Sequence, residues 1–177
     1  MMFVVRLIAA SLALAAAVSA HAALQVGAPA PGFTTDAAVG GKAFKFDLAA
    51  ELKKGPVVLY FYPKAFTQGC TVEAHDFAEA TDKFKALGAT VIGISNDNID
   101  TLKKFSVEAC RNKFAVAADE GAKMIKAYDV NLVVMPGMAD RVSFLIGQDG
   151  KIAAVHSAMD PSGHVNAMLK ATAALKK

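Results

Sequence analysis

Val57-Val58-Leu59-Tyr60-Phe61-Tyr62 does more than any other stretch to narrow the architecture of this chain. Six apolar, β-branched or aromatic residues follow one another without alternation. A strand with one wet face would alternate, so this pattern fits a strand covered on both faces. Pro63 stops the run, because its ring fixes φ and removes a donor N–H. A doubly covered strand belongs inside a sheet with helices on either side.

The rest of the chain reads consistently with that arrangement. Gly27-Ala28-Pro29-Ala30-Pro31-Gly32-Phe33 is an extended, turn-rich lead-in, since the residue before each proline is pushed away from helix. Lys42 to Asp47 reads as an edge strand, and Ala49 to Lys54 as a short helical turn ended by Gly55-Pro56. Phe77, Ala80, Phe84 and Leu87 recur at helical steps, which predicts a helix from Cys70 to Leu87 with Gly88 behind it. Thr90 to Ser95 is a second buried strand. Asp97 or Asn98 caps a helix from Ile99 to Cys110 whose apolar face carries Ile99, Leu102, Phe105 and Ala109. Phe114 to Ala118 is a third strand, followed by a helix from Glu120 to Tyr128. Val142 to Ile146 and Lys151 to His156 form a hairpin around Gln148-Asp149-Gly150. Pro161 to Lys176 closes the chain as a helix with Val165, Met168, Leu169, Thr172 and Leu175 inward. The expected fold is α/β, with a mixed central sheet flanked by helices on both faces.

The 177 residues suit one domain. Part of their 54% apolar content lies at the start, where Arg6 precedes an apolar run from Leu7 to Val18 and the small-x-small exit Ala20-His21-Ala22. This is the form of a secretory signal peptide over residues 1–22, with a domain over 23–177. The run is short for a membrane span and no Lys/Arg cluster follows it. Export to a compartment such as the bacterial periplasm is expected, where disulfides persist. Without Arg6, 18 basic residues face 16 acidic ones in scattered or paired positions. That pattern reads as solvated helix faces, not as a nucleic-acid surface, and no membrane association is expected after cleavage.

The chemistry concentrates where the buried strand hands over to a helix, in Tyr60-Phe61-Tyr62-Pro63-Lys64-Ala65-Phe66-Thr67-Gln68-Gly69-Cys70-Thr71-Val72-Glu73. A cysteine in a first helical turn meets unpaired N–H groups and the positive end of the dipole. Both favour the thiolate, which is the nucleophile. Thr67, three residues earlier, places a hydroxyl able to point back toward the sulfur. A distant arginine would add two N–H donors and a fixed charge, and Pro63 would shield the sulfur from water. The bland alternative is a structural disulfide between Cys70 and Cys110, the two cysteines of the chain.

Pro63-x-x-x-Thr67-x-x-Cys70 resembles the active-site motif of the peroxiredoxins. Phe61-Tyr62-Pro63-Lys64-Ala65 through Gly69-Cys70-Thr71 is similar to their bacterioferritin-comigratory, or Q-type, branch. The likeness continues through Gly27-x-Pro29-x-Pro31-x-Phe33, Gly93-Ile94-Ser95 and Arg141-x-x-Phe144-Leu145-Ile146 before Asp149-Gly150-Lys151. It implies a thioredoxin-like fold without metal or organic cofactor. It also implies a peroxidatic Cys70 oxidised by a hydroperoxide to sulfenic acid, in a pocket built by Pro63, Thr67 and Arg141. Glu73 stands where it would orient Arg141, or is an ordinary acid at a helix N-terminus. The reductant implied is a thioredoxin-like protein or a small thiol, and the protein is expected as a monomer or homodimer.

The pattern departs from many Q-type members at His75, five residues after Cys70, where they carry a resolving cysteine. Cys110 is then the remaining thiol. Helical periodicity puts it at the edge of its apolar face, partly exposed. Three readings of it stand open: a resolving cysteine, one half of a permanent disulfide, or an inert buried thiol. His75 falls on the solvent side of its helix, and His156 and His164 lack metal-ligand spacing. Two other functions compete. A thiol–disulfide oxidoreductase would want Cys-x-x-Cys, and the third position after Cys70 is Glu73. A non-catalytic exported domain stapled by a disulfide leaves the grouping of Thr67, Cys70 and Arg141 unexplained.

Overall fold

The computed structural model describes residues 23–175. The expected signal peptide, residues 1–22, lies outside the described residues, as does Lys176 at the end of the expected closing helix. In chain order the elements are β1 (Thr34–Val39), β2 (Lys42–Asp47), α1 (Leu48–Leu52), β3 (Val57–Phe61), α2 (Gln68–Ala86) and β4 (Thr90–Ser95). They continue with α3 (Ile99–Glu108), β5 (Ala115–Ala118), α4 (Lys123–Ala127), β6 (Val142–Ile146), β7 (Ile152–Ser157) and α5 (His164–Leu175). The seven strands form one mixed sheet in the order β2-β1-β5-β4-β3-β6-β7.

β3 lies inside the sheet, parallel to β4 and antiparallel to β6. All five of its side chains are buried. Val58 and Tyr60, with Tyr62 just beyond the strand, join Phe77, Phe84, Phe105 and Met168 in one core. Val57, Leu59 and Phe61 join Leu48, Ile125, Tyr128 and Phe144 in the core on the opposite face. This two-sided burial is what the unbroken apolar run requires, at roughly 1.5–3 kcal/mol for each large side chain. Tyr60 needs a glycine across the ladder. Its partner is Gly93, where a Cβ would come within 2.6 Å of the Tyr60 ring. The ring so admitted stacks on Phe77 with centroids 4.4 Å apart.

Several boundaries differ from expectation. β1 was not expected, because Thr34-Thr35-Asp36-Ala37-Ala38-Val39 has no apolar alternation; it exists by pairing with β2 and β5. α2 begins at Gln68, two residues early, with Thr67 as its N-cap. α3 stops at Glu108, so Cys110 lies beyond the helix, and it is fully buried rather than partly exposed. Arg111 and Asn112 turn the chain sharply there, both with positive φ. α4 is shorter than expected, since Gly121 and Ala122 also have positive φ and Asp119 receives the N–H groups of Met124 and Ile125 at 3.0 and 2.8 Å. α5 begins at His164, and Leu175 is exposed rather than inward. Asn98, not Asp97, caps α3 by accepting from Thr101 N at 2.9 Å. Among the described residues no helix is long and apolar enough to cross a membrane.

Candidate active site

The site forms at the end of β3, where the chain must turn into α2. Tyr62 N extends the ladder by donating to Ile94 O at 3.1 Å. Asp97 then ties the following loop to the end of β4, accepting from Ala65 N and from Ser95 Oγ, each at 2.8 Å. Phe66 adopts a φ of 65°, uncommon for a bulky residue. Its ring packs edge-on against Phe105 at 5.2 Å. Thr67 is exposed, and its hydroxyl donates to the Lys64 carbonyl at 2.9 Å instead of capping the helix. That bond uses the donor and leaves lone pairs on the oxygen. Pro63 is half-buried at the head of the loop.

This turn places Cys70 third in α2, within the set of N–H groups that have no helical partner. Cys70 is 1% exposed. Arg141 reaches it from the residue just before β6, with Nη2 3.5 Å from Sγ. The other side of the guanidinium pairs with Glu73 Oε2 through Nη1, and Nε donates to the Met159 carbonyl at 2.9 Å. Arg141 is 4% exposed and Glu73 is 0%. A guanidinium held by Glu73 and by the Met159 carbonyl has little freedom, so its remaining edge is aimed at the sulfur.

The electrostatics follow from burial. Loss of water pushes Glu73 up to about 8, and the Arg141 charge and hydrogen bond pull it down without cancelling that effect. Burial also works against the Arg141 charge, but Glu73 and Cys70 outweigh it and Arg141 stays firmly cationic. Breaking such a buried pair by removing one partner typically costs about 3–5 kcal/mol.

The structure thus brings together Cys70, Arg141 and Glu73, with Thr67 and Pro63 in the loop that leads into α2. Cys110 lies in the same apolar core as Cys70, and both thiols are free. Burial pushes the Cys110 thiol far above its ordinary value. His75 is half-buried on α2. Three residues that shape the site carry no site role in the sequence reading. Gly69 is one: a Cβ there would lie 3.1 Å from Arg141 Nη2, so the glycine leaves room for the guanidinium. A glycine placed inside a first helical turn beside Cys70 was the available signal. Asp97 is the second, and its tertiary bonds have no local signature. His164 is the third, fully buried 3.6 Å from Glu73. Among the described residues, no group of three or more His, Cys, Asp or Glu side chains is placed to hold a metal ion.

Residues 26–155 match the family model of the AhpC/TSA family. The chain is 33% identical over 128 residues to chloroplastic peroxiredoxin Q of Sedum lineare, covering 72% of this chain and 68% of that one. It is 36% identical over 118 residues to peroxiredoxin Bcp of Escherichia coli K12, covering 64% of this chain and 75% of that one. Against other plant peroxiredoxin Q sequences the match spans little more than half of their length, as with the 55% of the Gentiana triflora protein. Among solved structures, peroxidoxin BcpB of Mycobacterium tuberculosis superposes with a TM-score of 0.77 at 28% identity, over 87% of this chain and 99% of that one. The mixed sheet with helices on both faces is accordingly a thioredoxin-like fold. The chain belongs to the AhpC/TSA family and is an oxidoreductase of the peroxiredoxin type.

Proposed function

We propose that the protein reduces hydrogen peroxide and organic hydroperoxides through Cys70. The observation that carries this reading is the buried Cys70 sulfur facing Arg141 Nη2 at 3.5 Å at the N-terminal end of a long helix. The Cys70 thiolate attacks one peroxide oxygen and the O–O bond breaks. The second oxygen leaves as hydroxide or alkoxide and takes a proton, and the sulfur becomes sulfenic acid. Negative charge travels from sulfur toward the leaving oxygen, and Arg141 and the first-turn N–H groups are preorganised donors for it. The free lone pairs of Thr67 Oγ1 offer an acceptor for the hydroperoxide O–H. Pro63, without an N–H, keeps the approach to the sulfur clear of a competing donor.

Resolution is assigned to Cys110, whose thiol attacks the sulfenic sulfur, expels water and leaves a Cys70–Cys110 disulfide. Two features support this: both thiols sit in one core, and no second cysteine follows Cys70 within α2. A disulfide needs Cα atoms within about 7 Å, and we assign the approach of the two buried thiols to local unwinding of the first turn of α2. A thioredoxin-like dithiol protein or a small thiol then reduces the bond. The signal-like residues 1–22 support export, which the mass of the mature protein from fractionated cells would test.

The deciding experiment adds one equivalent of hydrogen peroxide to reduced protein and follows thiol loss and mass. Rapid loss that Cys70→Ser abolishes is expected. Loss at the rate of free cysteine sinks the proposal. Cys110→Ser should stop at sulfenic acid, whereas unchanged disulfide turnover would remove Cys110 from the cycle.

A further inference from the structure

Glu73 presents two carboxylate oxygens, and only one is accounted for by Arg141. Oε1 is buried without a hydrogen-bond partner. The polar atom facing it is His164 Nδ1, 3.6 Å away at the N-terminus of α5. His164 is itself 0% exposed and held from both sides. Its Nε2 lies 2.9 Å from the Ala158 carbonyl, and its Nδ1 lies 2.9 Å from Ser143 Oγ on β6.

A carbonyl can only accept, so Nε2 carries the hydrogen. In neutral His164 the lone pair on Nδ1 is then an acceptor, and the Ser143 hydroxyl donates to it. An ionised Glu73 gains nothing from that lone pair, because two acceptors face each other. A proton placed between Oε1 and Nδ1 turns the contact into a hydrogen bond, whichever atom holds it. The same turn ties the two sides together. Consecutive carbonyls, Ala158 and Met159, hold His164 Nε2 and Arg141 Nε respectively.

We propose that His164 is a positioning residue for Arg141: through Nδ1 it shares one proton with Glu73 Oε1, and so sets how strongly Glu73 competes with Cys70 for the guanidinium. This rests on the peroxidase reading of Cys70 and adds to it a residue that does not touch the sulfur. With the proton present, the Glu73–His164 pair is neutral overall and the Arg141 charge is directed to the sulfur. With the proton lost, the pair carries a negative charge and draws Arg141 toward itself. The groups facing His164 are Glu73 from α2, Arg141 before β6, His156 from β7 with its ring 4.5 Å away, and Asp160 from the turn before α5. Burial, His156 and Arg141 push His164 down to about 4 despite the Ala158 carbonyl and Asp160, while Glu73 lies at about 8. The shared proton therefore resides on Glu73 near neutral pH and is lost on the alkaline side. Cys70 oxidation slows across that alkaline range.

Two substitutions in the full chain should move this titration in opposite directions. His164→Leu removes the acceptor for the Glu73 proton and should lower the Glu73 midpoint by about one pH unit, a tenfold loss of proton affinity. Ser143→Ala frees Nδ1 from its competing donor and should raise the midpoint. The midpoint is read from the Glu73 carboxyl ¹³C shift in reduced protein, and the alkaline fall in the Cys70 oxidation rate should follow it. A merely structural role moves neither midpoint, or moves both the same way, and either result overturns the proposal. If His164→Leu does not fold, the upward shift in Ser143→Ala decides alone. The carboxyl titration needs no peroxide. It tests the pairing even where slow Cys70 oxidation has sunk the peroxidase reading.

Discussion

Cys70 and Cys110 are buried to the same degree in one apolar core, yet their surroundings are opposite in sign. Cys70 sits in the first turn of α2, at the positive end of a nineteen-residue helix, with a cationic guanidinium 3.5 Å from its sulfur. Cys110 sits two residues past α3, its N–H donating to the Phe105 carbonyl at 3.1 Å, beside the negative end of the helix. No charged partner offsets burial there, and the Cys110 thiol is pushed far up. Burial by itself therefore does not tell the two thiols apart. The oriented charge does, and the chain supplies it to one of the two.

The largest effect should come from making the Cys70 pocket resemble that of Cys110. Arg141→Met keeps the buried stem and removes both donors and the charge. Loss of a preorganised donor at the reacting centre typically slows such a step by 10²–10³-fold. Stopped-flow oxidation of Cys70 by hydrogen peroxide should show about that loss, and a change under threefold would mean that the guanidinium is not what distinguishes the two thiols.

A smaller effect should appear in stability against pH, and in one pocket only. Glu73 is raised from 4.5 to about 8, so its contribution is full below 4.5 and is lost as pH rises toward 8. His164 is lowered from 6.5 to about 4, so its contribution is full above 6.5 and is lost as pH falls toward 4. Between 4.5 and 6.5 the two slopes oppose each other. Above 6.5 the Glu73 slope stands alone, and stability should fall by roughly 2 kcal/mol up to pH 8. Urea melts should show this fall in the natural protein and lose it in Glu73→Gln. Cys110→Ala should keep the fall, because no titrating group of its own pocket drives it.

The smallest change sharpens the same contrast by geometry. Gly69→Ala would put a Cβ 3.1 Å from Arg141 Nη2, and the grip of Glu73 and Met159 on that side chain leaves it nowhere easy to go. Oxidation of Cys70 should slow by about tenfold. Stability should stay within about 1 kcal/mol, since alanine favours the helix by a similar amount. Unimpaired oxidation would show that the guanidinium can shift without consequence.

Much of the scaffold was legible because it is written in local pattern. The run from Val57 to Tyr62 demanded cover on two faces, and the structure has two cores. The three- and four-residue spacing of Phe77, Ala80 and Phe84 marked α2. Asp149-Gly150 marked the hairpin, where Gly150 has a φ of 74°. What failed was pattern without periodicity. β1 is a strand because β2 and β5 lie beside it, and Thr34 to Val39 carry no apolar signal that says so. The exposure expected for Cys110 came from extending the periodicity of α3 past Glu108, where the helix has already ended.

The sequence by itself determined the doubly covered sheet, the cysteine at a strand-to-helix junction and the residues able to serve it. These depend on neighbours in the chain, through side-chain periodicity, proline geometry and the unpaired N–H groups of a first helical turn. Only the tertiary structure decided how those residues meet. Arg141 lies 71 positions from Cys70 and 68 from Glu73, and His164 arrives on yet another element. The strength of such buried charge interactions depends on distance and on exclusion of water, which the order of residues does not encode. The same limit applies to Cys110, whose burial was settled by where α3 stopped and by the core that encloses it.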